Sequence, residues 1–221
     1  MIKAVIFDLD GTLIDCDVDL AKKRVSEELA ELTGNSYKNI RKKVEDIHYQ
    51  FNMESVYDRN TWWDQVNPHL PPQEKQRLTN VYWKYITETT RVKDYCEELL
   101  RALKDNGLLL VLLTDFDGES YSKKSRISNL SIIPLFDLIV ISGEDTKKTK
   151  PSPEPFLHIL ALLKATPEEV LMVGDKPQVD LQGADALGMK TLLVEGDYGN
   201  TWKNTAKDLR GVHQFIESIT A

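Results

Sequence analysis

The sequence predicts an α/β protein, a doubly wound parallel sheet interrupted by a helical insert, and three observations carry that expectation. Short, continuous β-branched or leucine-rich runs occupy residues 4–7, 108–113, 138–141, 170–173 and 191–194, and unbroken apolarity is what a parallel strand needs when helices cover both faces of its sheet. Between residues 16 and 92 no such run occurs, and apolar residues recur at helical spacing instead. Polar residues come after four of the five runs, toward the carboxyl ends of strands where open parallel sheets bind their ligands.

Taken in order, the first run leads at once into Asp8, with no basic stretch, long apolar region and small-residue cleavage site before it, so no export signal is expected. In the insert, Leu20, Val25, Leu29 and Leu32 form one helical stripe that Gly34 is placed to close, and Ile40, Val44, Ile47 and Phe51 form a second. Asp15 and Asp17 are read as the start of the first of these helices. Thr61 with Asp64 resembles a capping box opening a short helix, and Leu78, Val81, Tyr85 and Ile86 mark a longer one. Trp62, Trp63 and Trp83, three of the four tryptophans, fall in the insert and predict an apolar cluster of its own. Residues 93–106 read as a helix of the main domain, packing through Tyr95, Leu99, Leu100 and Leu103 and closed by Gly107. The expected division is a core of residues 1–15 and 93–221 and a helical domain of residues 16–92.

Composition narrows the function. A chain of 221 residues with 29% charged and 41% hydrophobic residues is that of a folded soluble protein. A formal charge of -7 disfavours nucleic acid as the main partner, since that affinity comes from lysine and arginine releasing counterions. The longest apolar run, 108–113, is far short of the ~20 residues that span a bilayer, so no membrane partner is expected. Cys16 and Cys96 lie far apart without metal-ligand spacing, which fits a reducing cytoplasm. The four histidines, His48, His69, His158 and His213, form no cluster and receive no role. Oligomeric state is not readable from the sequence.

The chemistry gathers at the strand ends. The first ends in Asp8-Leu9-Asp10-Gly11-Thr12, the second in Thr114-Asp115, the region after the third holds Lys150-Pro151, and the fourth ends in Gly174-Asp175 with Asp180 following. Two aspartates one residue apart, with a glycine next, can present different groups to one pocket across a sharp turn. With Asp175 and Asp180 they make a hard oxygen cluster without histidine or cysteine, the donor chemistry of Mg2+ rather than zinc. Thr114 and Lys150, arriving from other strands, suit the oxygens of a phosphoryl group, and the backbone N–H of Asp115 is a further candidate. A DxDGT string arises by chance on the order of 10⁻⁵ per position, so it is informative in one chain. Asp115 and Asp117 repeat the DxD spacing, and Asp117 is read as a loop residue capping the next helix.

In order and spacing, these four strand ends resemble the motifs of the haloacid dehalogenase superfamily: DLDGT, the Thr114 strand end, Lys150 in KPSPEPF, and Gly174-Asp175 with Asp180. The resemblance covers residues 1–15 and 93–221, and the insert stands where that family carries a helical cap. It implies that Asp8 attacks phosphorus, that Asp10 protonates the leaving oxygen and then deprotonates water, and that Thr114 and Lys150 bind the phosphoryl group, beside the candidate N–H of Asp115. It implies Mg2+ held by the carboxylates of Asp8 and Asp175 and the backbone carbonyl of Asp10, with Asp180 in the outer shell. Asp10 is what a phosphatase needs at the position where family dehalogenases carry another residue type. A small phosphorylated metabolite is the implied substrate; a phosphomutase remains an alternative, as does a receiver-like or scaffold protein on the same fold. Tyr57, Trp62 and Trp63 are read as core of the insert, and Arg41, Arg59 and Arg91 as solvated by default although able to recognise a second acidic group.

Overall fold

The computed structural model describes residues 1–198 and 201–220. In chain order the elements are β1 (Ala4–Phe7), β2 (Ile14–Asp15), α1 (Val18–Thr33), α2 (Tyr37–Met53), α3 (Arg59–Val66), α4 (Pro72–Thr89), β3 (Arg91–Val92), α5 (Cys96–Asp105) and β4 (Leu109–Asp115). They continue with α6 (Lys123–Ile127), β5 (Leu138–Ser142), α7 (Pro153–Leu163), β6 (Val170–Gly174), α8 (Gln182–Ala186), β7 (Lys190–Val194), β8 (Thr205–Ala206) and α9 (Leu209–Thr220).

The sheet is parallel throughout, in the order β5-β4-β1-β6-β7-β8. β1 is central: Phe7 is level with Leu112 on one side and Val173 on the other, so the residues following all three strands emerge at one edge. Alternation along each strand divides the core in two. Val5, Phe7, Leu110, Leu112, Leu171 and Val173 pack with α5 and α9. Ala4, Ile6, Val111, Leu113 and Met172 pack with α7 and α8 on the opposite face. Burial on both faces is why the strands read as unbroken apolar runs and not as alternating ones, and the doubly wound parallel sheet is as expected.

The chain divides into two compact units, one of Met1–Asp15, Arg91–Phe116 and Ile127–Ala221, the other of Cys16–Thr90 with Asp117–Arg126. In the first, β2 and β3 pair antiparallel where the chain leaves for the helices and returns. This pairing shortens the helix expected over 93–106: α5 starts at Cys96, after Tyr95 in a left-handed conformation at φ 68°.

The helical unit is built on its own cluster, in which Trp62, Trp63, Trp83, Leu78, Tyr82 and Ile86 are buried with Val25, Leu29, Ile40 and Val44. Gly34 closes α1 at φ 66°, as its position predicts. The inner stripe of α1 is Ala21, Val25, Ser26 and Leu29, and Leu32 is exposed, because a helix buries i, i+4 and i+8 on one side. α3 is capped not by Thr61 but by Asp58, whose carboxylate accepts the Asn60 N–H at 2.8 Å. Asp17 caps α1 through the Leu20 N–H, also at 2.8 Å, whereas Asp15 belongs to β2.

Residues 117–126 join this unit through buried charge and an interlocked turn. Asp117 does not cap a helix; its buried carboxylate accepts from Lys123 Nζ at 3.0 Å and from Arg126 Nε at 2.6 Å. Ser120 Oγ donates to Asp58 at 2.8 Å, Tyr121 stacks on Trp83, and a Cβ on Gly118 would come within 2.4 Å of the Asp58 backbone. Arg59, expected to be solvated, is only 5% exposed, with its guanidinium 3.6 Å from the Trp62 ring centroid and 4.8 Å from that of Trp83.

Candidate active site

The site residues Asp8, Asp10, Thr114, Asp115, Lys150, Asp175 and Asp180 all fall in the sheet-bearing unit, at the end of β4 and on the segments after β1, β5 and β6. Asp8 directly follows β1 and its N–H donates to the Val173 carbonyl at 2.9 Å, so the sheet ladder continues into the nucleophile candidate itself. Gly11, at φ 92°, then turns the chain back, and Lys93 Nζ donates to its carbonyl.

Lys150 is the hub. Its Nζ, 1% exposed at the side chain, donates to Asp8 Oδ1 at 2.6 Å, to Asp180 Oδ1 at 2.8 Å and to the Leu113 carbonyl at 3.3 Å. Asp115 Oδ1 accepts hydrogen bonds from the Lys150 N–H at 3.0 Å and from the Ser142 hydroxyl, tying the loop of Lys150 to the ends of β4 and β5. Thr114 is buried beside Ile141 in the same register. Asp180 uses its second oxygen to accept the Lys176 N–H at 2.9 Å, which closes the wide turn of Pro177–Leu181 after β6.

Thr12, to which the sequence reading gave no role, has a fully buried hydroxyl 3.3 Å from both Asp8 Oδ2 and Asp175 Oδ1. Its one proton can serve either carboxylate. Lys176 was also missed: its Nζ is 3.9 Å from Asp175 Oδ1 and 4.9 Å from the Tyr198 ring centroid. The signal for Thr12 was its place in the first motif; that for Lys176 was its place next to Asp175. Asp10 is half-buried two residues beyond Asp8.

Burial and crowding oppose charge on the acids. Desolvation, then the Asp180 carboxylate, raises the Asp8 carboxyl above its ordinary value, against the pull of Lys150. Desolvation lifts Asp175 to about 7. Burial would discharge Lys150, but Asp180, Asp8 and Asp115 outweigh it and hold the ammonium well above the ordinary lysine range; Asp175, Asp8 and Asp180 do the same for Lys176.

One oxygen each from Asp8, Asp175 and Asp180 lies within 4.8 Å of the others. An all-carboxylate, buried donor set fits a hard divalent cation such as magnesium and not a soft one.

Residues 2–188 match the family of haloacid dehalogenase-like hydrolases. The chain belongs to that family. It is 32% identical over 204 residues to a phosphoglycolate phosphatase of Nitrosospira multiformis, covering 89% of this chain and 85% of that protein. It is 29% identical over 199 residues to pyrophosphatase PpaX of Bacillus mycoides, covering 87% and 83%. Among solved structures, a HAD phosphatase of Thermococcus onnurineus superposes with a TM-score of 0.74 at 24% identity over 97% of this chain and 98% of its own. The chain is thus a HAD-like phosphatase in family and fold. No helix among its described residues is long and apolar enough to cross a membrane.

Proposed function

We propose that this HAD-like phosphatase hydrolyses a small phosphomonoester through an aspartyl-phosphate formed on Asp8, with magnesium as cofactor. The observation that carries the reading is the hold on Asp8, whose Oδ1 accepts from Lys150 Nζ at 2.6 Å while Oδ2 lies 3.3 Å from the Thr12 hydroxyl it shares with Asp175, with Asp10 two residues on. A carboxylate so held meets the phosphorus of a bound ester in one orientation.

In the first step an Asp8 oxygen bonds to phosphorus, the ester P–O bond breaks, and Asp10 gives its proton to the leaving oxygen. In the second, Asp10 takes a proton from water, which attacks the phosphorus and returns Asp8 as a carboxylate with release of phosphate. Splitting hydrolysis in this way replaces one difficult displacement with two easier ones. Lys150, Thr114 and the Asp115 N–H hold the phosphoryl oxygens, and Lys150 offsets the charge that develops on them. Magnesium would be held by the carboxylates of Asp8 and Asp175 and the Asp10 carbonyl, with Asp180 further out, and when bound supplies charge neutralisation to the transferring group.

The helical unit is the substrate-selecting cap in this reading, and the names of the relatives point to small phosphorylated compounds.

The test is phosphate release from a panel that includes phosphoglycolate, sugar phosphates, nucleoside monophosphates and pyrophosphate, with magnesium and with chelator. Metal-dependent release that falls at least about 10³-fold in Asp8→Asn, with trapping of a phosphorylated wild-type protein by acid quench, is expected for a covalent nucleophile. Full activity in Asp8→Asn removes the assignment, and conversion of a sugar phosphate to its isomer without phosphate release identifies a mutase.

A further inference from the structure

Three buried carboxylates share one small volume with Lys150, and hydrogen bonding distributes that charge unevenly. Lys150 Nζ donates to Asp8, Asp180 and the Leu113 carbonyl and lies 3.7 Å from Asp115 Oδ2, and none of these contacts is to Asp175. The ammonium in ion-pair range of Asp175 is that of Lys176, at 3.9 Å, a distance beyond a hydrogen bond, so the attraction is one of charge alone. The root of Lys176 is fixed, because its N–H is held by Asp180. Its tip has two neighbours: the ammonium of this 18% exposed side chain lies between Asp175 and the face of Tyr198, whose ring centroid is 4.9 Å away and can hold a cation by itself. Asp175 is also one of the three carboxylates whose oxygens cluster as a cation site.

We propose that Lys176 is a built-in competitor for the divalent cation. In the metal-free protein its ammonium balances Asp175; in the metal-bound protein it moves toward the Tyr198 ring and solvent. Lys176 thereby weakens metal binding while keeping the crowded acids compatible with the fold. The inference rests on the metal-dependent reading above, and the two can fail separately.

The experiment is calorimetric titration of the purified full chain with magnesium chloride, in the absence of any substrate, for wild type, Lys176→Met and Lys176→Arg. Methionine keeps the stem and removes the charge. Lys176→Met should bind magnesium about five-fold more tightly or better, a coupling of the size usual between linked sites, and Lys176→Arg should stay near wild type. The metal-free methionine variant should melt lower than wild type, and magnesium should raise its melting temperature by more, as tighter binding to the native state requires. Tyr198→Leu supplies a second arm that leaves Lys176 in place: without the ring the ammonium stays on Asp175 and magnesium binds more weakly than in Tyr198→Phe. Wild type that binds magnesium beside a methionine variant of equal or weaker affinity overturns the inference and leaves the proposed function standing. A wild type that binds no magnesium overturns the metal-dependent reading and this inference with it.

Discussion

Gly11 sets the tolerance of the site at the scale of single atoms. A Cβ there would stand 2.4 Å from Asp175 Oδ2, and the residue lies at φ 92°. Gly11→Ala must therefore strain the loop and displace Asp175 together. We expect a stability loss of about 1–3 kcal/mol and a far larger loss of phosphatase activity, read from denaturant titration and kcat/KM on the same preparation. Asp175 carries a pH prediction of its own. Burial raises its carboxyl from 3.8 to about 7, so between those values the native protein keeps a proton that the unfolded chain has released, and stability falls as pH rises through that window. Asp175→Asn should stabilise the metal-free protein by about 1–4 kcal/mol at pH 8, with a gain that shrinks toward nothing near pH 3, as urea titrations in chelator would show. Asp8, Asp10, Asp175 and Thr114 were legible because they stand at or just past the end of an apolar run, and Lys150 because it follows the third run next to Pro151. The clamp of Thr12 was not, since its hydroxyl meets Asp175 across 163 positions of sequence, and no local pattern encodes such a meeting.

Elements position these residues through close backbone packing. Gly183 of α8 lies against the Pro151 carbonyl, where a Cβ would approach to 2.2 Å, and Pro151 follows the hub Lys150. Gly183→Ala should push the loop of Lys150 outward, destabilising the fold by about 1–3 kcal/mol and lowering activity with it. Gly34→Ala is the contrast: nothing lies within 4 Å of its Cβ, yet φ is 66°, so about 1 kcal/mol of stability should be lost with kcat/KM intact. Equal effects on activity would show that the loop of Lys150 does not depend on α8. The five long strands were legible because burial on both faces leaves an unbroken apolar run. β2, β3 and β8 were not, being two residues each and too short to show a period. Residues 117–126 escaped for another reason. Their charges are paired inside the helical unit, and sequence alone reads a charged, glycine-containing stretch as solvated loop.

At the scale of the whole molecule, each unit is built on apolar packing of its own among the described residues. The sheet carries an apolar cluster on each face, and the helical unit has its own, centred on Trp62, Trp63 and Trp83. Trp62 is 1% exposed, donates its indole N–H to the Val56 carbonyl at 2.7 Å and lies under the Arg59 guanidinium. Replacing it with alanine removes a large packed volume, a hydrogen bond and a cation–π contact, a loss of about 3–5 kcal/mol on packing grounds, and that loss falls on one unit. Three of the four tryptophans belong to this unit, so fluorescence reports mainly on the helices, while the far-ultraviolet signal sums over both units. Multi-unit chains depart from all-or-none unfolding when one unit is weakened. Trp62→Ala should therefore move the fluorescence transition, followed through Trp63 and Trp83, to lower urea and separate it from a later transition in circular dichroism. If both probes instead shift together, the units unfold as one, and the helical cluster is an energetic part of the sheet domain.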